Sequence, residues 1–336
     1  MLHRVVTVTA PSRLHFGLFA FREGLSTRFG GAGAMIGRPQ TKIRIRRAHA
    51  LQLSVSNARR TREILQMWLE KHPEHSFSDV EQLPLDVREI SHPNAHVGLG
   101  SGTQATLALA SALDRWFDVA DLIGATDALD FGRSRRSAVG TCGFFQGGMI
   151  VDLGDSSRIG MVERIQRIEL PESWRVVLIC SRDGRGPSGD EEATLFDSLA
   201  PLAPPAADRL RNLLANQLVP AAQAGDFDAF STAVYEFGFQ AGLTFQSVQH
   251  GPFNGSQVER VVQTVRSLEV DGVGQSSWGP CVFAFCRSSD EADRLIGELK
   301  DRFTVHDYWL EIARIHNQPA TVSDCPRGPV TIDDSV

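Results

Sequence analysis

Val97-Gly98-Leu99-Gly100-Ser101-Gly102-Thr103-Gln104 runs without a break into Ala105-Thr106-Leu107-Ala108-Leu109-Ala110-Ser111-Ala112-Leu113. Glycines let a backbone approach an anion closely. A helix that begins directly after them offers unpaired N–H groups and the positive end of its macrodipole. Taken alone, the stretch reads in two ways: as a phosphate-binding turn over Gly98, Leu99, Gly100, Ser101, Gly102 and Thr103, or as a tight strand-to-helix connection capped by Ser101 or Thr103. Its company in the chain separates the two.

The chain has 336 residues, 42% of them apolar and 22% charged, with a net charge of -6. It reads as an ordinary soluble globular protein, long enough for two cores. Extensive nucleic-acid binding is disfavoured, because no uniformly basic face is implied. Lysine occurs only at Lys42, Lys71 and Lys300, so arginine carries nearly all the positive charge. A Walker-type loop is therefore absent and a Schiff-base lysine is disfavoured. The cysteines, Cys142, Cys180, Cys281, Cys286 and Cys325, are odd in number and nowhere spaced C-x-x-C, which predicts reduced, mostly buried thiols. The first ten residues alternate like a strand, and no apolar run approaches membrane-spanning length; the expected compartment is the cytoplasm.

Alternation predicts strands near 4–10, 13–19, 41–47 and 51–56, followed by a helix over 58–71 capped by Asn57. A strand at 85–91 feeds the glycine turn, helices are predicted over 103–117 and 121–131, and 144–169 reads as strands bent at Gly147-Gly148. Glycines in 20–34 and 182–192 suit lids over a site. Beyond the strand 175–180, helices are expected over 190–200, 206–223, 226–240 and 254–268. The order then closes as strand 270–275, strand 281–286, helix 289–302 and strand 305–315. That order reads as a split βαβ, ferredoxin-like layer. The class is α+β, with a first domain over 1–168, a second over 169–318 and a tail over 319–336.

Three further segments carry chemical signal, and each has a bland reading beside the functional one. Pro11-Ser12-Arg13-Leu14-His15-Phe16-Gly17-Leu18 puts Arg13 and His15 on one strand face, either a solvated face or a ligand-facing pair. Gly132-Arg133-Ser134-Arg135-Arg136-Ser137 gathers three arginines among small residues, either a charged loop or an anion-recognition fork. Gly272-Val273-Gly274-Gln275-Ser276-Ser277-Trp278-Gly279-Pro280 is a second glycine-rich turn, or a hairpin loop.

Together and in this order the segments resemble the GHMP kinase superfamily, and within it the β-ribofuranosylaminobenzene 5'-phosphate synthase branch. Pro-Ser-Arg-Leu-His-Phe-Gly-Leu at 11–18 and Gly-Leu-Gly-Ser-Gly-Thr-Gln at 98–104 are the branch-specific motifs, joined by the arginine segment with Phe145-Gln146-Gly147-Gly148-Met149-Ile150-Val151-Asp152 and by Ser276-Ser277-Trp278-Gly279-Pro280. The resemblance implies a ribosomal protein S5 domain 2-like N-terminal domain and a ferredoxin-like C-terminal domain. It implies ribosylation of 4-aminobenzoate or 4-hydroxybenzoate by phosphoribosyl pyrophosphate, with loss of pyrophosphate and CO2, in methanopterin biosynthesis. Catalytic roles are expected for Arg13, His15, Arg133 and Arg136, and substrate contacts for Arg28, Arg135, Ser188, Asp190 and Ser277. Mg2+ is the expected cofactor, on Ser101 and Glu191, and a homodimer the expected assembly, with no nucleic-acid or membrane partner.

Departures from the kinases are informative. Sugar and mevalonate-type kinases of this superfamily commonly carry an aspartate after the central helix that activates the acceptor hydroxyl. Gly140-Thr141-Cys142-Gly143-Phe144-Phe145-Gln146 holds no carboxylate there, though Asp152 or Asp190 remains a possible substitute. Ser134 stands where the synthase pattern usually has glycine, and Cys142 and Trp278 are local variants. An ATP-dependent small-molecule kinase and a non-catalytic sensor of a phosphorylated metabolite are the competing readings.

Overall fold

Residues 3–23, 26–134, 136–154, 165–187, 190–199 and 202–327 are described by the structure, a computed structural model. Two long strands organise it: β1 (His3–Glu23) and β2 (Ser26–Arg47) form one antiparallel hairpin. Irregularities at Ala10–Ser12 and His15–Gly17 bend β1 without ending it. The second shifts the side-chain phase, so the buried series runs Leu14 and Phe16, then Phe19 and Phe21. The lid expected over 20–34 is thereby corrected, because most of that stretch is strand. Its glycines are there for close packing: a Cβ on Gly30 would stand 2.4 Å from the Phe19 ring, and one on Gly33 2.1 Å from the carbonyl of Leu14.

Around this hairpin lie β3 (Gln52–Ser54), α1 (Ala58–Lys71), β4 (Leu85–Ser91), α2 (Ser101–Trp116), α3 (Val139–Gln146), β5 (Met149–Asp152) and β6 (Gln166–Ile168). Asn57 caps α1 by accepting from the N–H of Arg60, as expected. The helix predicted over 121–131 reduces to a 3-10 turn at Thr126–Leu129. Local side-chain bonds compete with it, since Asp114 accepts from the N–H of Ile123 and Asp127 from that of Gly124. The strands expected from 144 begin only at β5. Nearly all of α3 is buried, leaving no amphipathic period to read.

The second layer contains β7 (Arg175–Ser181), α4 (Asp190–Ser198), α5 (Pro204–Leu213), α6 (Val219–Ala224), α7 (Phe227–Leu243), α8 (Gln246–Gln249), α9 (Gly255–Arg266), β8 (Val273–Gln275), β9 (Cys281–Cys286), α10 (Ser289–Lys300) and β10 (Tyr308–Arg314), after which β11 (Thr321–Arg327) returns to the first sheet. The second layer's sheet, ordered β10-β7-β9-β8 and antiparallel throughout, is the ferredoxin-like layer. The first sheet is ordered β11-β1-β2-β4-β3, with β5 and β6 extending from β2. Residues 321–327, expected as part of a tail, are thus an edge strand paired with His3–Thr9. Reduced thiols are also corrected at one place. Register pairing sets Cys180 directly opposite Cys281, and the two form a disulfide. No helix among the described residues is long and apolar enough to cross a membrane.

The hairpin serves two cores. Val6, Val8 and Ala10 pack with Ile64, Trp68 and Leu107, whereas Leu14, Phe16 and Phe19 join Phe230, Phe237 and Phe283 of the second layer. The Phe16 ring lies 5.4 Å from that of Phe283 and 5.7 Å from that of Phe285. This insertion fixes the strand that carries Arg13 and His15 against the second layer. Gly33→Ala is expected to destabilise the protein by about 1–3 kcal/mol through overpacking between β1 and β2. A urea midpoint equal to that of the unmodified chain would remove this role from Gly33.

Candidate active site

Backbone and hydroxyl groups bring the four sequence segments to one point. The hydroxyl of Ser276 accepts from the N–H of His15 at 3.1 Å and donates to the carbonyl of Gly98 at 2.7 Å. Ser277 N–H donates to the carbonyl of His15, and Arg13 N–H to that of Leu99. The approach is close enough to require glycine on both sides. A Cβ at Gly98, whose φ is +92°, would stand 2.0 Å from the carbonyl oxygen of Ser276; one at Gly279 would stand 2.1 Å from that of Val97.

Gly100 adopts the left-handed conformation and caps α2, its carbonyl accepting from the N–H groups of Thr103 and Gln104. The donors of Ser101 and Gly102 are therefore the orphan N–H groups at this helix start. Two guanidinium groups flank them. Arg13 packs on Gly100, where a Cβ would meet its Nε at 3.1 Å, and both terminal nitrogens of Arg133 lie 3.5 Å from the corresponding point on Gly102. Arg133 is held by donating to Thr106 Oγ1, whose hydroxyl donates in turn to the carbonyl of Gly102. Cations at the positive end of a helix are unfavourable unless an anion joins them. The arrangement suits a phosphate or pyrophosphate.

His15 is buried, with its Nε2 2.8 Å from Ser137 Oγ. Burial, with Arg13 nearby as a second cause, holds its pKa well below the ordinary imidazole value. The ring is neutral at pH 7 and serves as a hydrogen-bonding group. Burial also pushes the Cys142 thiol up to about 12, which excludes it as a nucleophile near neutrality.

A cavity of 430 Å³ opens here, lined by Arg13, His15, Thr103, Arg133, Arg136, Ser137 and Ser277, with an apolar wall from Phe196, Phe245, Phe253 and Trp278. Among the described residues no carboxylate lines it. Ser134, with φ +63°, and Ser277, with φ +57°, both line it in the left-handed region. That backbone explains why glycine is usual at position 134. The apolar wall and Gln249 escaped the sequence reading. Phe245 resembled an ordinary core residue, and the one available signal was the small-residue run Gly238, Ala241 and Gly242 on α7. This run lets Gly17 and Pro252 approach the helix.

Other expected residues stand apart. Arg28 lies in β2 opposite Phe21 and does not line the cavity, which corrects its assignment to a lid. Glu191 is exposed and lines a neighbouring cavity with Arg185 and Pro187, so it does not share the main cavity's wall with Thr103. Arg135 and Ser188 lie outside the described residues; Asp190 opens α4, and its side chain is likewise outside them. Asp152 is buried in β5, where it accepts from the N–H of Gly154, and does not line the cavity. No group of three or more His, Cys, Asp or Glu suited to a metal occurs among the described residues. The described wall, with its arginines and no carboxylate, does not fit a protein-held Mg2+.

A family model described as GHMP kinases C terminal matches residues 218–305. The chain is 26% identical over 299 residues to beta-ribofuranosylphenol 5'-phosphate synthase of Methanothermobacter thermautotrophicus, covering 82% of this chain and 87% of that protein. The protein of the same name from Archaeoglobus fulgidus is 26% identical over 318 residues, covering 90% of this chain and 94% of its own length. Among solved structures, mevalonate pyrophosphate decarboxylase from Streptococcus pyogenes superposes with a TM-score of 0.69 at 12% identity, covering 95% of this chain and 99% of that one.

Two outcomes are expected. Ser276→Ala strands the buried N–H of His15 and leaves the Gly98 carbonyl only its 3.3 Å bond from Arg13, and is expected to cost about 1–3 kcal/mol in unfolding free energy; an unchanged denaturation curve would show the junction to be held otherwise. Below pH 6.5 the unfolded chain takes up a proton at His15 that the folded chain refuses. Stability at this site is full above that pH and falls by up to about 1.4 kcal/mol per pH unit as pH drops towards the lowered folded value. His15→Gln is expected to flatten the fall in urea midpoint between pH 7.5 and 5.5; equal slopes in both proteins would contradict the assignment.

Proposed function

We propose that this chain, which has the GHMP kinase fold and is related along most of its length to β-ribofuranosylphenol 5'-phosphate synthases, is a decarboxylating pentosyltransferase. The observation that carries the reading is a cavity whose lining joins Thr103 of the α2 start, Arg13, Arg133 and Arg136 with an apolar aromatic wall, with no carboxylate among the described lining residues. Phosphoribosyl pyrophosphate is the donor. The acceptor is 4-hydroxybenzoate, favoured by the phenol in the relatives' name, with 4-aminobenzoate as the alternative.

The bond from ribose C1 to the pyrophosphate oxygen breaks, and the carboxylate-bearing ring carbon forms a bond to C1. The carbon–carboxylate bond then releases CO2, its electron pair restoring the aromatic ring. A para hydroxyl or amino group already donates electron density to that carbon, so no strong base is required. This accounts for the lack of a carboxylate among the described lining residues.

In this reading the N–H groups of Ser101 and Gly102, with Arg133 and Arg13, stabilise the charge that develops on the departing pyrophosphate. Arg136 supplies a fork for the carboxylate. Neutral His15, joined to Ser137, positions the wall and moves no proton. Any Mg2+ would accompany the pyrophosphate as its counter-ion, and no step here depends on a protein-held metal.

Carboxyl-labelled 4-hydroxybenzoate is expected to release labelled CO2 with phosphoribosyl pyrophosphate and not when ATP replaces it. No release with either benzoate, alongside ATP consumption with an alcohol acceptor, would overturn the proposal in favour of a kinase. Arg133→Ala is expected to lower kcat/KM by about 100-fold or more. The same change is expected to lower the unfolding midpoint only slightly, by about the cost of the hydrogen bond that Arg133 donates to Thr106. A large loss of stability with unchanged turnover would assign Arg133 to structure.

A further inference from the structure

The ends of the two sheets differ, and one of them is unprotected. β8, β3 and β6 are three residues each, and β11 carries Pro326 and an Asp324 already paired with Arg4. Shortness, charge and proline are the ordinary defences of an edge strand. β10 ends the second layer's sheet with β7 as its one neighbour. It has seven residues, Tyr308-Trp309-Leu310-Glu311-Ile312-Ala313-Arg314, contains neither proline nor lysine, and runs in unbroken register with β7. Tyr308, Trp309, Leu310 and Ile312 are only half-buried, although they pack against the cores on the two faces of the sheet. Val305, in the turn leading into the strand, is 61% exposed. A long, regular, apolar edge of this kind is a template for a further strand.

The hydrogen-bonding phase of β10 is fixed by its neighbours. The carbonyl of Cys281 accepts from the N–H of Ser276 on the β8 side, so the backbone groups of Cys281 and Cys180 point away from each other. Their Cα–Cα separation of 4.2 Å agrees with a pair of that kind. Cys180 therefore bonds towards β10, as does Arg182, whose N–H donates to the carbonyl of Asp307. Trp309, Glu311 and Ala313 share the phase of Asp307 and face β7. By alternation Leu310 and Ile312 direct their N–H and C=O groups outward, where no strand meets them among the described residues. Tyr308 is outward too, with its N–H already taken by the carbonyl of Thr304.

We propose that this edge is the seam of a homodimer, closed by antiparallel pairing of β10 with β10 of a second copy about a two-fold axis at Leu310. A strand from another protein would cover one such edge, whereas a second copy covers both at once, and the two four-stranded sheets become one continuous sheet. Charge selects the register. Centring the pair on Glu311 sets two carboxylates against each other, and centring it on Trp309 sets Asp307 against Glu311; like charges directly opposed are unfavourable. Centring it on Ile312 extends the pairing onto Ile315 and His316, which already pair with β2 at Ile36 and Met35. Centring on Leu310 sets Leu310 against its own mate, Tyr308 against Ile312 and Trp309 against Glu311. No like charges are then opposed within the strand, and the outward groups of Leu310 bond to those of its mate.

The mass in solution tests this directly, and two cysteine variants test the register. By sedimentation the unmodified chain is expected to form a dimer, twice its 36.8 kDa, in the micromolar range. Leu310→Lys keeps an aliphatic stem on the core and sets two ammonium groups face to face at the axis. It is expected to raise the dimer dissociation constant about tenfold or more with an unchanged circular dichroism spectrum. Leu310→Cys is expected to form a disulfide between copies on mild oxidation, because residues opposed in a hydrogen-bonded pair stand about 5.5 Å apart at Cα. Ile312→Cys, displaced from the axis and opposite Tyr308, is expected to form none. Cys325→Ser in both backgrounds keeps the exposed native thiol out of the readout.

A chain that stays monomeric throughout that range would overturn the proposal. So would a dimer that neither weakens with Leu310→Lys nor cross-links through Leu310→Cys, and so would cross-linking through Ile312→Cys in place of Leu310→Cys. Leu310→Cys is a small apolar replacement and keeps the test decisive if the lysine variant fails to fold. No substrate enters these measurements, so their outcome is independent of the transferase reading.

Discussion

One hydroxyl joins the parts of this molecule that chemistry needs together. Ser276, fully buried, receives the N–H of His15 from the first domain's hairpin and gives its own hydrogen to the carbonyl of Gly98 in the glycine loop. Strand β1, the start of α2 and the turn before β9 are far apart in sequence. Their relative placement sets where Arg13, Arg133 and Trp278 stand. Glycine at 98 and 279 permits the contact, since any side chain there would occupy the space of the opposing backbone. The phenylalanine cluster of Phe16, Phe283 and Phe285 fixes the approach from beneath by burying aromatic area, and Ser276 sets its register.

The electrostatics are arranged for a visitor. A helix start already carries partial positive charge, and Arg13 and Arg133 are placed beside it. Among the described residues no carboxylate lines the cavity. An anion bound there adds to the stability of the folded chain. Burial, with Arg13 as the second cause, depresses the basicity of His15, whose imidazole would otherwise be available as an acid near neutrality. Positive charge and apolar ring surface share one cavity, a combination suited to an anion attached to an aromatic or sugar framework.

Legibility in the sequence followed the strength of the local signal. α1 was readable to the residue because Asn57 caps it and Ile64, Leu65, Trp68 and Leu69 fall on one face. The glycine loop and the arginine segment were readable as chemistry because their residue types are unusual for bland connections. What was hidden depends on tertiary context. The glycines of β2 look like a loop until the facing Phe19 ring and Leu14 carbonyl are known, and α3 has no polar face from which a period can be read. Cys180 and Cys281 become partners only through the register of β7 with β9. Phe196, Phe245 and Gln249 come from three separate places on the second layer's helices and the turns joining them, so no spacing announces them.

The contrast with the kinases on this fold is a matter of which group must be activated. An alcohol acceptor has to lose a proton as it attacks phosphorus, and a carboxylate near the phosphate loop supplies the base. An electron-rich aromatic carbon has no proton to lose at that position, and its leaving group is CO2. In this chain the glycine loop is present and α3, with Gly140, Thr141 and Cys142, holds no carboxylate. In the pentosyltransferase we propose, orientation of the ring over ribose C1 replaces proton transfer as the main demand on the protein, so the aromatic wall is the part of the site that must be precise in shape. On that proposal one scaffold supports either chemistry, depending on whether a carboxylate or an aromatic surface shares the cavity with the helix start.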